Sequence, residues 1–145
     1  MNVQTILSAK GTEVATIAPS ATLAEATEML RARGFGALVV SADGAALDGI
    51  VSERDIVRAL AADGVATLER KVATCMSSEV FRCGPSDSID ALMSLMTERR
   101  IRHVPVVDGD GLAGMISIGD VVKYRLGELE RENDQLHDYI QGNVG

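Results

Sequence analysis

Two spacing patterns alternate along the chain. Ile89, Leu92, Met93 and Met96 stand at i, i+3, i+4 and i+7, which places one apolar stripe on a helix. Leu23, Ala26, Thr27 and Leu30 repeat the spacing with a weaker stripe. Around these helices lie short apolar runs at residues 14–17, 38–40 and 49–51, and again at 80–83, 104–107 and 114–116. Turn residues bound each run, so each reads as a strand. Pro19 and Pro85 close the first run of each set, because proline has no N–H to give to a ladder. A second helix starts at Ser52 and at Ser117, both natural N-caps.

The two sets are copies of one unit. Residues 14–41 (VATIAPSATLAEATEMLRARGFGALVVS) lie over 80–107 (VFRCGPSDSIDALMSLMTERRIRHVPVV, which ends at Val107) at a constant offset of 66, pairing Pro19 with Pro85, Leu23 with Ile89 and Leu30 with Met96. After a one-residue slip in the turns at Asp43-Gly44 and Asp108-Gly109, Gly49-Ile50-Val51-Ser52-Glu53-Arg54-Asp55 lies over Gly114-Met115-Ile116-Ser117-Ile118-Gly119-Asp120. The residue classes agree along roughly 45 positions, a register that chance does not sustain.

Each copy reads β-α-β-β-α. A unit of about 60 residues buries too little surface to be secure alone, so the copies are expected to pack on each other through their sheets about a pseudo-twofold axis. The expected fold class is α+β (mixed α/β), with repeat one in residues 1–66, repeat two in 67–125 and a C-terminal helical tail in 126–145. A cleft on the axis offers two related pockets, each at the mouth of a helix.

The tail carries its own pattern. Val122, Leu126, Leu129, Leu136 and Ile140, with Asn133 at the missing position, follow an alternating spacing of four and three. That is an a/d seam with Asn at an a position, as in two-stranded coils. Short coils are marginal, so two readings stand: pairing between chains in a homodimer, or a helix laid against a body.

Composition narrows the functional classes. With 46% apolar residues, 3% aromatic and no Trp in 145 residues, the chain is globular and builds its core from Val, Ile, Leu, Met and Ala. The net charge is −7, and in the tail Glu128, Glu130, Glu132, Asp134 and Asp138 face only Arg131. Apart from Arg99, Arg100 and Arg102 no basic cluster exists, which disfavours a nucleic-acid partner. Those arginines read either as a solvated helix end or as an anion patch. No apolar run approaches the length of a membrane span, and the N-terminus has no signal-peptide pattern, so no membrane partner and a cytoplasmic location are expected. Cys75 and Cys83 lack neighbours at metal spacing, and His103 and His137 are the only histidines, so no metal site is expected.

The candidate chemistry lies in the recurring Gly-x-x-Ser-x-x-Asp. Ser52 and Ser117 can cap their helices while Asp55 and Asp120, at the third helical position, return a bond to the cap. The same geometry serves a ligand. Free amides, a hydroxyl and the positive end of a helix dipole bind phosphate, and an ionised carboxylate accepts both hydroxyls of a ribose diol. A Ser117/His103/Asp120 hydrolase triad lacks a Gly-x-Ser-x-Gly elbow, and no catalytic residue is expected.

The doubled motif, together with His103-Val104-Pro105-Val106-Val107, resembles a tandem cystathionine-β-synthase (CBS) domain pair, the Bateman module, over about residues 3–125. The resemblance implies a regulatory module, not an enzyme. It implies an adenosine-containing ligand (AMP, ADP, ATP, NAD or S-adenosylmethionine) between the repeats and an effector protein acted on in trans. Carried over by position, it puts ribose on Asp55 and Asp120 and phosphate near Ser52 and Ser117. It puts the base against Thr16, Ile17, Arg82 and Cys83, and against Gly36, Ala37, Leu38, His103, Val104 and Pro105.

The copies also differ. Gly36-Ala37 stands where repeat two has Arg102-His103, Val39 where it has Pro105, and Arg54 where it has Gly119. Charge available to a phosphate is therefore unequal, and two unequal pockets are expected. The rival readings are an adaptor in which the Ser/Asp pairs are only caps, and a nucleotide-handling enzyme.

Overall fold

The structure is a computed structural model that describes residues 1–109 and 111–140. Helix α1 (Val3–Lys10) leads into β1 (Thr16–Ile17), α2 (Leu23–Arg33), β2 (Ala37–Val40), β3 (Gly49–Ser52) and α3 (Glu53–Asp63). Two 3-10 turns, Val65–Glu69 and Val72–Thr74, connect to α4 (Ile89–Arg99), β4 (His103–Asp108), β5 (Gly111–Ser117) and α5 (Ile118–Ile140). The first copy of the β-α-β-β-α unit is thus complete, and the second keeps its helices and its last two strands in the same order.

In the first sheet β2 runs parallel to β1 and antiparallel to β3. In the second, β4 and β5 are antiparallel, and the strand expected at residues 80–83 is reduced to one parallel bridge between Cys83 and Val106. Of those four residues only Cys83 is buried, so only it anchors the pairing. Its N–H still donates to Pro105 O at 3.0 Å and its carbonyl accepts from Val107 N at 2.8 Å. The Val107 bond has its equivalent in repeat one, from Ser41 N to Ile17 O, whereas the Val39 N to Ala15 O bond there has no counterpart, because Pro105 at the matching position has no N–H.

Each repeat has its own core. Ile17, Leu23, Ala26, Leu30, Leu38, Val40, Val51 and Ile56 form the first; Cys83, Ile89, Leu92, Met96, Val104, Val106, Ile116 and Val121 form the second. The segments leading into the repeats are exchanged between these cores. Helix α1, which precedes repeat one, buries Val3, Ile6 and Leu7 in the second core. Val72, which precedes repeat two, is fully buried in the first, with Cys75 and Met76 packed against it.

The backbone bonds of the two leaders correspond one to one. Val3 N donates to Asp87 O at 2.9 Å and Gln4 N to Pro85 O at 2.9 Å; Val72 N donates to Ala21 O at 2.7 Å and Ala73 N to Pro19 O at 3.0 Å. Two glycines make room for the exchange. A Cβ at Gly114 would stand 2.5 Å from Leu7 Cδ2, and one at Gly49 would stand 2.7 Å from Met76 Sδ and 2.9 Å from the Ser77 carbonyl oxygen.

Within the described residues the expected tail continues the second helix of repeat two, because α5 runs unbroken from Ile118 to Ile140; residues 141–145 lie outside them. Val121 fixes its first turns in the second core, with Tyr124 packed alongside. Val122, Leu126, Leu129, Leu136 and Ile140 are all at least half exposed, so the a/d stripe does not lie against the chain's own body.

The Gly49 contact gives a stability prediction. Gly49→Ala must displace the Met76 side chain and the Ser77 carbonyl, and is expected to lower the unfolding free energy by about 1–3 kcal/mol, the range for an overpacked site. Gly111→Ala, with nothing within 4 Å of its Cβ, is the control. Urea denaturation of both measures the difference, and equal midpoints would show that the leader contact is loose.

Candidate functional site

The two repeats meet where β2 and β4 begin. Glu53 N donates to Gly36 O at 3.0 Å and, in the equivalent place, Ile118 N donates to Arg102 O at 2.8 Å, so each second helix is tied to the residue ahead of its own repeat's central strand. His103 at the start of β4 lies against Gly36, where a Cβ would come within 2.9 Å of its Cε1. Burial pushes the imidazole below its ordinary value, against the opposing pull of Glu53 and Asp120, so the ring is neutral at pH 7.

Both Ser/Asp pairs close capping boxes. Ser52 N donates to Asp55 Oδ2 at 2.8 Å and Asp55 N to Ser52 Oγ at 3.3 Å; Ser117 N donates to Asp120 Oδ2 at 2.8 Å and Asp120 N to Ser117 Oγ at 3.1 Å. The capping role read from the sequence is therefore present in both copies. Asp120 differs from Asp55 in having a cation on it. Lys10 Nζ, at the end of α1, lies 2.6 Å from Asp120 Oδ2 and donates to Met115 O at 2.7 Å. Burial alone would raise the Asp120 carboxyl. The Lys10 hydrogen bond and the Ser117 N–H outweigh it, and the group titrates below the ordinary carboxylate value.

These groups border a cleft of about 440 Å³. From repeat one it takes Glu13, Ala15, Gly36 and Ala37; from repeat two, His103, Met115, Ser117 and Asp120; and from the leader, Lys10. A larger groove of about 480 Å³ lies between α2 and α3, lined mainly by apolar residues such as Leu30, Phe35, Ile56, Val57 and Leu60. The convergent polar groups are in the smaller cleft, which makes it the candidate site.

Of the residues expected to hold a ligand, the structure brings Gly36, Ala37, His103, Ser117 and Asp120 into this cleft. Thr16 and Ile17 lie on β1, with Ile17 buried, and Leu38, Val104 and Pro105 are buried within β2 and β4. Cys83 is buried too, its thiol pushed up to about 11 by burial, while Arg82 and Arg102 are exposed. Ser52, Arg54 and Asp55 sit at the mouth of α3, apart from the cleft's lining. Sequence reasoning missed Lys10. Val3, Thr5, Leu7 and Ser8 match Val72, Thr74, Met76 and Ser77 at an offset of 69, which extends the repeat back into the leaders, but Lys10 itself falls opposite Glu79 and nothing local ties it to Asp120.

The profile of the CBS domain matches twice, over residues 10–62 and 71–127. The chain belongs to the CBS-domain family. A CBS-domain containing protein from Agrobacterium tumefaciens is 46% identical and superposes with a TM-score of 0.82, over 86% of this chain and 92% of that one. The mitochondrial CBS domain-containing protein CBSX3 of Arabidopsis thaliana is 38% identical over 83% of this chain, which spans only 61% of the plant protein's length. The CBS domain pair of protein MJ0100, solved in complex with 5′-methylthioadenosine and S-adenosyl-L-methionine, shares the fold at a TM-score of 0.77 and 23% identity, over 88% of this chain and 98% of that one. Two CBS repeats thus account for the doubled unit. Among the described residues no helix is long and apolar enough to cross a membrane.

The depressed Asp120 sets a pH dependence. Its contribution to stability is complete above the ordinary carboxylate value and is lost as pH falls through the lower folded value. Asp120→Asn is therefore expected to be less stable than the parent at pH 7, with the gap closing toward pH 3. Urea unfolding across that range measures it, and a gap that stays constant would mean the pair contributes nothing that depends on ionisation.

Proposed function

We propose that this CBS pair is a regulatory module that binds an adenosine-containing ligand in the 440 Å³ cleft and passes its occupancy to a protein partner in trans. The observation that carries the reading is the position of Asp120. Its carboxylate is ionised, its Oδ2 is occupied by Ser117 N and Lys10, and its Oδ1 takes no hydrogen bond from the described residues. An acceptor-only group with one open oxygen, facing a cleft, suits a ribose diol. Gly36, Ala37 and the start of β4 at His103 form the facing wall, with the imidazole seated in the space that a Gly36 side chain would take.

Because the cleft takes residues from both repeats, a ligand there bears on the geometry between them, and that is the physical means of signalling. The module acts as a homodimer in this reading. The exposed stripe of Leu126, Leu129, Leu136 and Ile140 on α5 supports it, since a seam of that spacing is covered when two helices pair. No catalytic step is assigned to the site.

A ligand that binds only the folded state stabilises it by RT ln(1 + [L]/Kd), about 2.7 kcal/mol at a hundredfold excess over Kd. AMP, ADP, ATP, NAD and S-adenosylmethionine are the ligands to screen by melting temperature and calorimetry. Asp120→Ala is expected to cost about 1.5–3 kcal/mol of binding, the range for a hydrogen bond to a charged group, while Asp55→Ala costs little. No binder in the screen would leave the adaptor reading in place. Equal losses in both variants would assign ribose to both helix mouths.

A further inference from the structure

We infer that Lys10 is the residue by which this cleft selects adenosine ligands bearing a 5′-phosphate over those without one. The inference rests on the reading of Asp120 as the ribose acceptor. Among the described residues lining the cleft, Lys10 alone carries a formal positive charge, since His103 is neutral; Glu13 and Asp120 supply the negative charge, and Glu13 also faces Arg33 at 3.3 Å. A phosphate desolvated here has one cation to meet.

The ammonium is well placed but not permanently committed. It is held at the mouth of α5 by Asp120 and the Met115 carbonyl, two acceptors for its three donors. Its side chain is 35% exposed and ends a four-carbon stem that can re-aim within the cleft. Lys10 neutralises Asp120 through Oδ2, and ribose hydroxyls that bond Oδ1 leave that pair in place. With Asp120 and Met115 taking two of its donors, the ammonium has a third to offer, and a ligand phosphate is the anion that takes it. A ligand without phosphate gives that donor no partner. Lys10 thus favours a nucleotide over a neutral nucleoside, and removing its charge must shift the two affinities differently.

The experiment is isothermal titration of AMP and adenosine into the full chain and into Lys10→Met and Lys10→Arg, each checked by its unfolding curve. The parent is expected to bind AMP at least about tenfold more tightly than adenosine, a difference of about 1.4 kcal/mol. Lys10→Met should weaken AMP, leave adenosine unchanged, and bring the two within about threefold, since a charge-assisted bond is roughly twice as strong as a neutral one. Lys10→Arg should retain the preference. Equal binding of AMP and adenosine by the parent, or an equal loss for both ligands in Lys10→Met, overturns the inference while leaving the ribose reading of Asp120 intact. Failure of the parent to bind either ligand overturns both.

Discussion

The structure depends on the exchange of leaders between the repeats. Each repeat lacks one wall of its core, and the segment that supplies it comes from ahead of the other repeat: α1 closes the second core, and the Val72 turn closes the first. Both leaders are held by the same backbone bonds, to Asp87 and Pro85 in one case and to Ala21 and Pro19 in the other. Two small cores that would be marginal as separate units become mutually required. The glycines at positions 49 and 114 are the steric condition for this, since any side chain there meets the incoming leader.

The exchange also builds the site. Because α1 lies on repeat two, its last residue, Lys10, reaches the mouth of α5 rather than that of α3, and only Asp120 receives a cation. The pseudo-twofold relation of the backbone is kept while its chemistry is not. Gly36 and Ala37 on one side of the axis face His103 on the other, and the absence of a side chain at Gly36 lets the imidazole approach. The capping box uses Oδ2 of Asp120 and leaves Oδ1 open, so it does not compete with the proposed ribose contact.

Much of this was legible in the sequence where local patterns dominate. The doubled strand and helix pattern is set by side-chain periodicity, and the starts of α3 and α5 by Ser52 and Ser117, whose hydroxyls accept the N–H of Asp55 and Asp120. The first strand of repeat two was overread because Val80 and Phe81 have strand-forming side chains but are not buried in a core. The exchange of leaders escaped because their matching residues show that they are related, not which core each one enters. Lys10 escaped for the same reason: it lies 110 positions from Asp120, and no local spacing connects them. The family resemblance named positions on both strand starts and both helix mouths, and the cleft's shape then separated the five that line it from those buried or facing elsewhere.

The central claim is that one cleft is assembled from both repeats and the leader. Hydrogen exchange of the intact chain with and without saturating AMP tests it most directly, since protection reports the opening of each segment separately. The account predicts added protection in three separated places at once: the end of α1 around Lys10, the start of β2 at Gly36 and Ala37, and the first turn of α5 from Ser117 to Asp120. Protection confined to a single repeat, or centred on Ser52 to Asp55 with the other segments unchanged, would contradict it.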